Sequence, residues 1–170
     1  MTSDARTATR TDGAGRQTLA LLVFVAGSAL AGGIGSLLQG SDVGSRYLAL
    51  DRPTWAPPSE AFGIVWPILY LLIGVAAWLV WRQAGRAGDA GRELSLWGAQ
   101  LVVNAVWPGV FFGLAWFWPA VAVIVVLDAL VVATLVAFWR RSRLAALLLL
   151  PYLGWLLYAT ALNVAIAAAN

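Results

Sequence analysis

Three sets of aromatic side chains recur in this chain at helical spacing, and two of the sets carry an amide. Phe62, Trp66 and Tyr70 follow one another at i+4, while Asn104, Trp107 and Phe111 fall at i, i+3 and i+7. Trp155, Ala159, Leu162 and Asn163 share a face by the same rule. A wall of indole and phenol rings with a few polar donors is the chemistry of a pocket for a flat, conjugated molecule. Ordinary helix packing accounts for any one stripe, but three on helices able to be neighbours weigh equally for a cavity. Asn104 and Asn163 then read either as ligand donors or as interhelical hydrogen bonds. Asp128 is the one acid well inside a long apolar stretch. A lone carboxyl there stays protonated or finds a polar partner, and a functional role and a bond across the bundle are both open. With no cysteine, histidine or lysine in the chain, thiol catalysis, thiolate metal sites and imidazole bases are excluded. No metal site and no required cofactor are expected.

The elements that must position these side chains are membrane helices. The chain is 61% hydrophobic and 11% charged, with mean hydropathy +0.81, where a soluble domain carries about 25% charged residues. Five apolar stretches, near 18–39, 61–81, 94–115, 119–139 and 144–168, are each long enough to span a bilayer at about 20 residues. The expected fold is all-α, an integral membrane bundle of five transmembrane helices occupying residues 18–170 as one domain. Residues 1–17 are polar and read as a disordered tail. The first stretch is longer than a signal-peptide core and reads as a retained helix. It carries small residues at packing spacing, Gly27, Ala31 and Gly35 on one ridge and Ser28, Gly32 and Ser36 on the next. Such a ridge serves inside a bundle or at a homodimer seam.

All eleven basic residues are arginine, and their placement sets the topology rather than pointing to nucleic acid. With five spans, Arg6, Arg10, Arg16, Arg82, Arg86, Arg92, Arg140, Arg141 and Arg143 fall on one side and only Arg46 and Arg52 on the other. Nine against two predicts the N-terminus inside and the C-terminus outside. The 40–60 loop is the longest connection; Pro53, Pro57 and Pro58 stiffen it, and its length suits a lid. Trp66, about 8 Å below the Arg-poor side, and Trp107, about 12 Å below it at 1.5 Å per residue, reach one cavity under that loop together with Trp155. Trp55 belongs to the lid. Trp78, Trp81, Trp97, Trp116, Trp118 and Trp139 stand at span ends and read as interface anchors. Pro67, Pro108 and Pro151 fall inside spans and are expected to kink them.

Three runs, DRPTWAPPSEAFGIVWPILY, QLVVNAVWPGVFF and PYLGWLLYATALN, together resemble the tryptophan-rich sensory protein/translocator protein (TspO/MBR) family over roughly residues 20–170. The resemblance implies a five-helix membrane protein, often dimeric, that binds porphyrins, sterols and synthetic aromatic ligands in a pocket capped by its first loop. Carried over position by position, Trp55, Pro57 and Pro58 match the loop motif, and Trp66 and Tyr70 match pocket aromatics. Asn104, Trp107 and Phe111 match the third-helix pattern, and Trp155, Ala159, Leu162 and Asn163 match the fifth. Animal members follow the last Leu-Asn with a Tyr and an Arg of a proposed cholesterol-recognition segment. Here the run is LNVAIAAAN, and that segment is absent. Ser59 and Glu60 replace an aromatic after the paired prolines. The resemblance implies a bacterial membrane sensor or transporter for a porphyrin such as protoporphyrin IX or haem, with Arg46 or Arg52 pairing its propionates. The alternative it implies is an enzyme of light-dependent oxidative porphyrin breakdown, with Trp66 and Trp155 as redox-active side chains. A non-enzymatic scaffold acting through a partner is a third reading.

Overall fold

The computed structural model describes residues 4–84 and 87–170, with side chains from Gly15 to Ala84 and from Asp89 onward. Residues 1–3 of the polar tail and Arg86 lie outside the described residues. Six α-helices follow in order: α1 (Asp4–Gln39), α2 (Val43–Ala49), α3 (Ser59–Ala84), α4 (Gly91–Pro108), α5 (Phe117–Arg141) and α6 (Arg143–Ala169). Five of these elements supply stretches long and apolar enough to cross a membrane, 15–39, 59–84, 91–113, 117–141 and 143–169. The protein is therefore an all-α integral membrane bundle. As bounded, α1 begins at Asp4 and so takes in most of the tail expected to be loose.

The five long helices close into a ring in the order α1, α3, α6, α5, α4 and back to α1. Close approach is what the small residues provide. A Cβ on Gly74 of α3 would sit 2.6 Å from the Cα of Val25, so α1 rests on α3 there backbone to backbone. The ridge of small residues in α1 is spent inside the bundle. Gly27 faces the Trp97 ring and Gly35 faces Pro108, with Cβ approaches of 3.4 and 3.2 Å. Ser28 is fully buried and turns its hydroxyl back to the Phe24 carbonyl.

Pro67, Pro108 and Pro151 all sit within helices, as expected. The consequence is clearest at Pro108, which lies at the end of α4. The next five residues, Gly109–Gly113, form a wider π-turn, with Leu114 N–H donating to the Gly109 carbonyl at 2.9 Å and Trp116 N–H to Val110 at 3.1 Å. Ala115 then adopts φ 54° and the chain reverses into α5. This makes the tight hairpin that the short AWFWP connection demands. At the opposite end Ser142 alone separates α5 from α6. Its hydroxyl accepts from Ala145 N–H at 3.3 Å and from Gln83 Nε2 at 3.1 Å, capping one helix and tying in a third.

The arginine-rich end is stapled. Arg141 pairs with Glu93 at 3.3 Å and donates to the Asp89 carbonyl, joining α5 to the start of α4. Arg16, Arg82 and Arg143 lie over Trp81, Trp78 and Trp139, which keeps those indoles at the level where the charges stand. Trp116 and Trp118 are exposed at the other end. Trp97 differs from the rest of the expected anchors. It packs inward on Phe24, edge to face at 5.3 Å, because Gly27 opposite leaves room for an indole.

Candidate functional site

Beneath α2 lies a cavity of about 660 Å³ bounded by α1, α3, α4 and the π-turn. The i+4 stripe of α3 supplies its aromatic wall, with Phe62, Trp66 and Tyr70 all lining it. Trp66 stacks on Tyr70 at 5.6 Å. From α4 come Asn104 and Trp107, three residues apart on the inner face, and Phe112 follows from the π-turn. Across from them α1 contributes mainly small residues, Ala29, Gly32, Gly33, Gly35 and Ser36, between Val25 and Gln39. Gly32 is obligatory, since a Cβ there would meet the Tyr70 ring at 2.3 Å. The roof is Tyr47 of α2, buried and edge to face with Phe62 at 5.3 Å.

The polar groups of the wall are held by a buried chain. Tyr70 donates to Asn104 Oδ1 at 2.6 Å, Asn104 Nδ2 donates to the Tyr152 hydroxyl at 2.9 Å, and Tyr152 donates to Gln100 Oε1 at 3.0 Å. Three helices are thereby linked behind one face of the cavity. Trp107 donates its indole N–H to Asn163 at 3.3 Å, and Asn163 in turn donates to the Ala159 carbonyl at 3.0 Å. Trp107 is thus fixed in rotation by α6 although its ring faces the cavity.

Of the ten residues singled out from the sequence, Trp66, Tyr70, Asn104 and Trp107 line this cavity. The other six lie around it. Phe111 is buried behind Trp107, stacked at 5.8 Å. Ala159, Leu162 and Asn163 are buried in α6. Trp155 stands behind Phe62 at 5.9 Å, and its buried indole N–H has no hydrogen-bond partner. Trp55 sits outside, 48% exposed and edge to face with Tyr158 of α6 at 5.7 Å. The α6 stripe backs the wall because that helix touches the cavity only through α3 and α4. Tyr47, Gly32, Gly33, Ser36 and Gln39 are lining residues that the sequence reading did not single out as a site. The small residues of α1 carried a signal, but helix packing explained it equally well.

The lid is built differently from an extended proline-stiffened loop. Its first half, free of proline, holds α2 after a turn at 40–42, and residues 50–58 are extended or turned. Tyr47 donates to the Pro57 carbonyl at 2.8 Å, folding the second half back on the first. Burial pushes the Tyr47 phenol above its ordinary value, against the Arg52 guanidinium that lies 4.6 Å from the ring centre and favours the ionised form. Two groups of α6 hold the lid from outside. Asn170 accepts from Asp51 N–H and donates to the Asp51 carbonyl, both at 3.1 Å. Tyr158 donates to the Trp55 carbonyl at 2.9 Å. Of the two outer arginines, Arg46 donates to the Phe112 carbonyl at 2.8 Å, closing the lid onto the π-turn. Arg52 keeps a buried Nε without a partner. Asp128 is remote from all this. It accepts from Thr160 at 2.8 Å across the α5–α6 seam, the bond across the bundle that its position allowed.

Known proteins resemble this chain along most of its length. The TspO/MBR family model matches residues 20–169. The chain is 38% identical over 136 residues to the Archaeoglobus fulgidus "Tryptophan-rich protein TspO", covering 80% of this chain and 87% of that protein. It is 39% identical over 118 residues to the human "Translocator protein", covering 69% and 70%. It is 36% identical over 142 residues to the Cereibacter sphaeroides "Tryptophan-rich sensory protein", covering 84% and 85%.

Proposed function

This chain belongs to the TspO/MBR family, and on that premise we propose that it is a membrane sensor or transporter whose ligand is a flat apolar molecule of the porphyrin class. The observation that carries the reading is the lining itself. Six aromatic rings, Tyr47, Phe62, Trp66, Tyr70, Trp107 and Phe112, line the cavity opposite mostly small residues of α1, a lining suited to a flat conjugated molecule. The lining carries no charged side chain, and its deepest polar groups, Tyr70 and Asn104, already bond to each other, so the site selects by shape more than by charge. Propionates of protoporphyrin IX or haem would lie toward the lid, where Arg52 has an unfilled donor. The N-terminus lies inside and the C-terminus outside, by the arginine distribution.

Protoporphyrin IX titrated against the purified protein is expected to quench tryptophan fluorescence saturably, and Trp66→Leu with Trp107→Leu to remove most of that quenching. Quenching that never saturates would sink the reading. Illumination of the complex then separates binding from light-driven breakdown. The breakdown reading requires porphyrin loss beyond the free-porphyrin control that disappears in Trp66→Phe and Trp155→Phe.

A further inference from the structure

The cavity has a side as well as a roof. Helices α1 and α3 meet backbone to backbone at Val25 and Gly74. Toward the lid they part. Gly33 on α1 and Gly63 on α3 both line the cavity, both are exposed, and a Cβ on either would meet nothing within 4 Å. Further along α3, Leu71 is also part of the lining and yet 50% exposed. On the same helix Ile64 and Ile68 are more exposed still and point outward. The inner wall and the outer face of α3 therefore run into one another without a rim. Both helices belong to stretches long and apolar enough to cross a membrane, 15–39 and 59–84, so the gap opens toward the bilayer.

We propose that the gap between α1 and α3 is a binding slot for the acyl chain of a bilayer lipid, whose tail passes between Gly33 and Gly63 into the cavity. The gap narrows from the lid to the Gly32–Tyr70 contact and is shut at Gly74. Such a taper fits a flexible file of methylenes and not a partner helix, which is about 10–12 Å across. Glycines on both sides leave the width open, and every methylene brought in exchanges one apolar neighbour for another. The roof gives the tail no rival route, since Tyr47, Asn170 and Tyr158 hold the lid shut over the cavity. The inference rests on the reading of this cavity as an apolar ligand site, and it adds the lipid tail as the occupant that a porphyrin must displace.

The test uses the full chain in nanodiscs of phosphatidylcholine bearing a diazirine midway along one acyl chain. After illumination, adducts are located by peptide mass spectrometry. Adducts are expected on Trp66 and Trp107, the latter only 5% exposed, as well as on outward Ile64 and Ile68. The double variant Gly33→Leu with Gly63→Leu, at positions where a Cβ meets nothing within 4 Å, is expected to lose the inner adducts and keep the outer ones. A melting curve matching the parent confirms its fold. Inner adducts absent from the parent, or persisting in the double variant, would overturn the slot. Saturable protoporphyrin binding without inner adducts removes the slot alone. Inner adducts without porphyrin binding remove the porphyrin reading and leave the slot standing.

Discussion

Gln100 and Tyr152 are almost wholly buried polar residues in a membrane bundle, and the Tyr152 hydroxyl joins two amides, accepting from Asn104 and donating to Gln100. Breaking this chain at different points has different consequences. Asn104→Leu leaves the Tyr70 hydroxyl without its acceptor and takes one of two bonds from the Tyr152 hydroxyl; it is expected to cost about 1–3 kcal/mol, as for other unsatisfied buried groups, lowering the melting temperature and weakening protoporphyrin binding together. Gln100→Leu removes the Tyr152 acceptor and should lower the melting temperature alone, since Gln100 does not line the cavity. A binding loss in Gln100→Leu equal to that in Asn104→Leu would show that the chain acts as a unit. Tyr47 predicts a pH dependence. Its folded value is raised, so the bond to Pro57 is intact below pH of about 10 and its contribution fades as pH climbs through the folded value. Tyrosinate absorbance should include a Tyr47 component that titrates later after folding, and that component should be absent in Tyr47→Phe. Asn104 and Tyr70 could be read from their stripes. Gln100 lies one turn before Asn104 on the same face, a spacing that pairs the two amides, but nothing in that spacing shows that Tyr152 of another helix bonds to both.

At the scale of elements, the lid is a short helix plus an extended return, fastened to the far end of α6. That fastening makes a separable prediction. Asn170→Ala and Tyr158→Phe each remove lid bonds outside the cavity, so bound protoporphyrin IX should dissociate several-fold faster while the melting temperature barely moves. Stopped-flow displacement reads the first and a thermal melt the second; unchanged dissociation would show that the lid does not gate the ligand. The five spans were legible because each is an uninterrupted apolar run of the length a bilayer requires. The wall of α3 and α4 was legible because i+4 and i+3 spacing fixes which rings share a face. What was not legible was the lid helix, hidden by three prolines that fall only after it, and the π-turn, whose wide pattern no residue type announces. The role of α6 was also obscured. Spacing placed Trp155 and Asn163 on one face but could not say that α3 and α4 stand between that face and the cavity.

For the whole molecule, the ring of five helices has two unlike ends. One end carries nearly all the arginine, and alkaline phosphatase fused after Asn170 in a bacterial inner membrane is expected to be active outside the cell, whereas a fusion within the 85–90 connection should be silent. The reverse pattern would overturn the orientation. That arginine end is closed by an ion pair, a serine cap and three indole–guanidinium contacts. The opposite end surrounds a void of about 660 Å³ with glycine on one side. Heat and amide exchange should therefore divide the molecule in two. Backbone amides around Gly32, Gly63 and α2 should exchange first, and those near Arg141 and Ser142 last. A guest at a hundred times its dissociation constant raises stability by about 2.7 kcal/mol, and the rise should be felt almost entirely in the hollow half. In that half, how firm the protein is depends on what it contains.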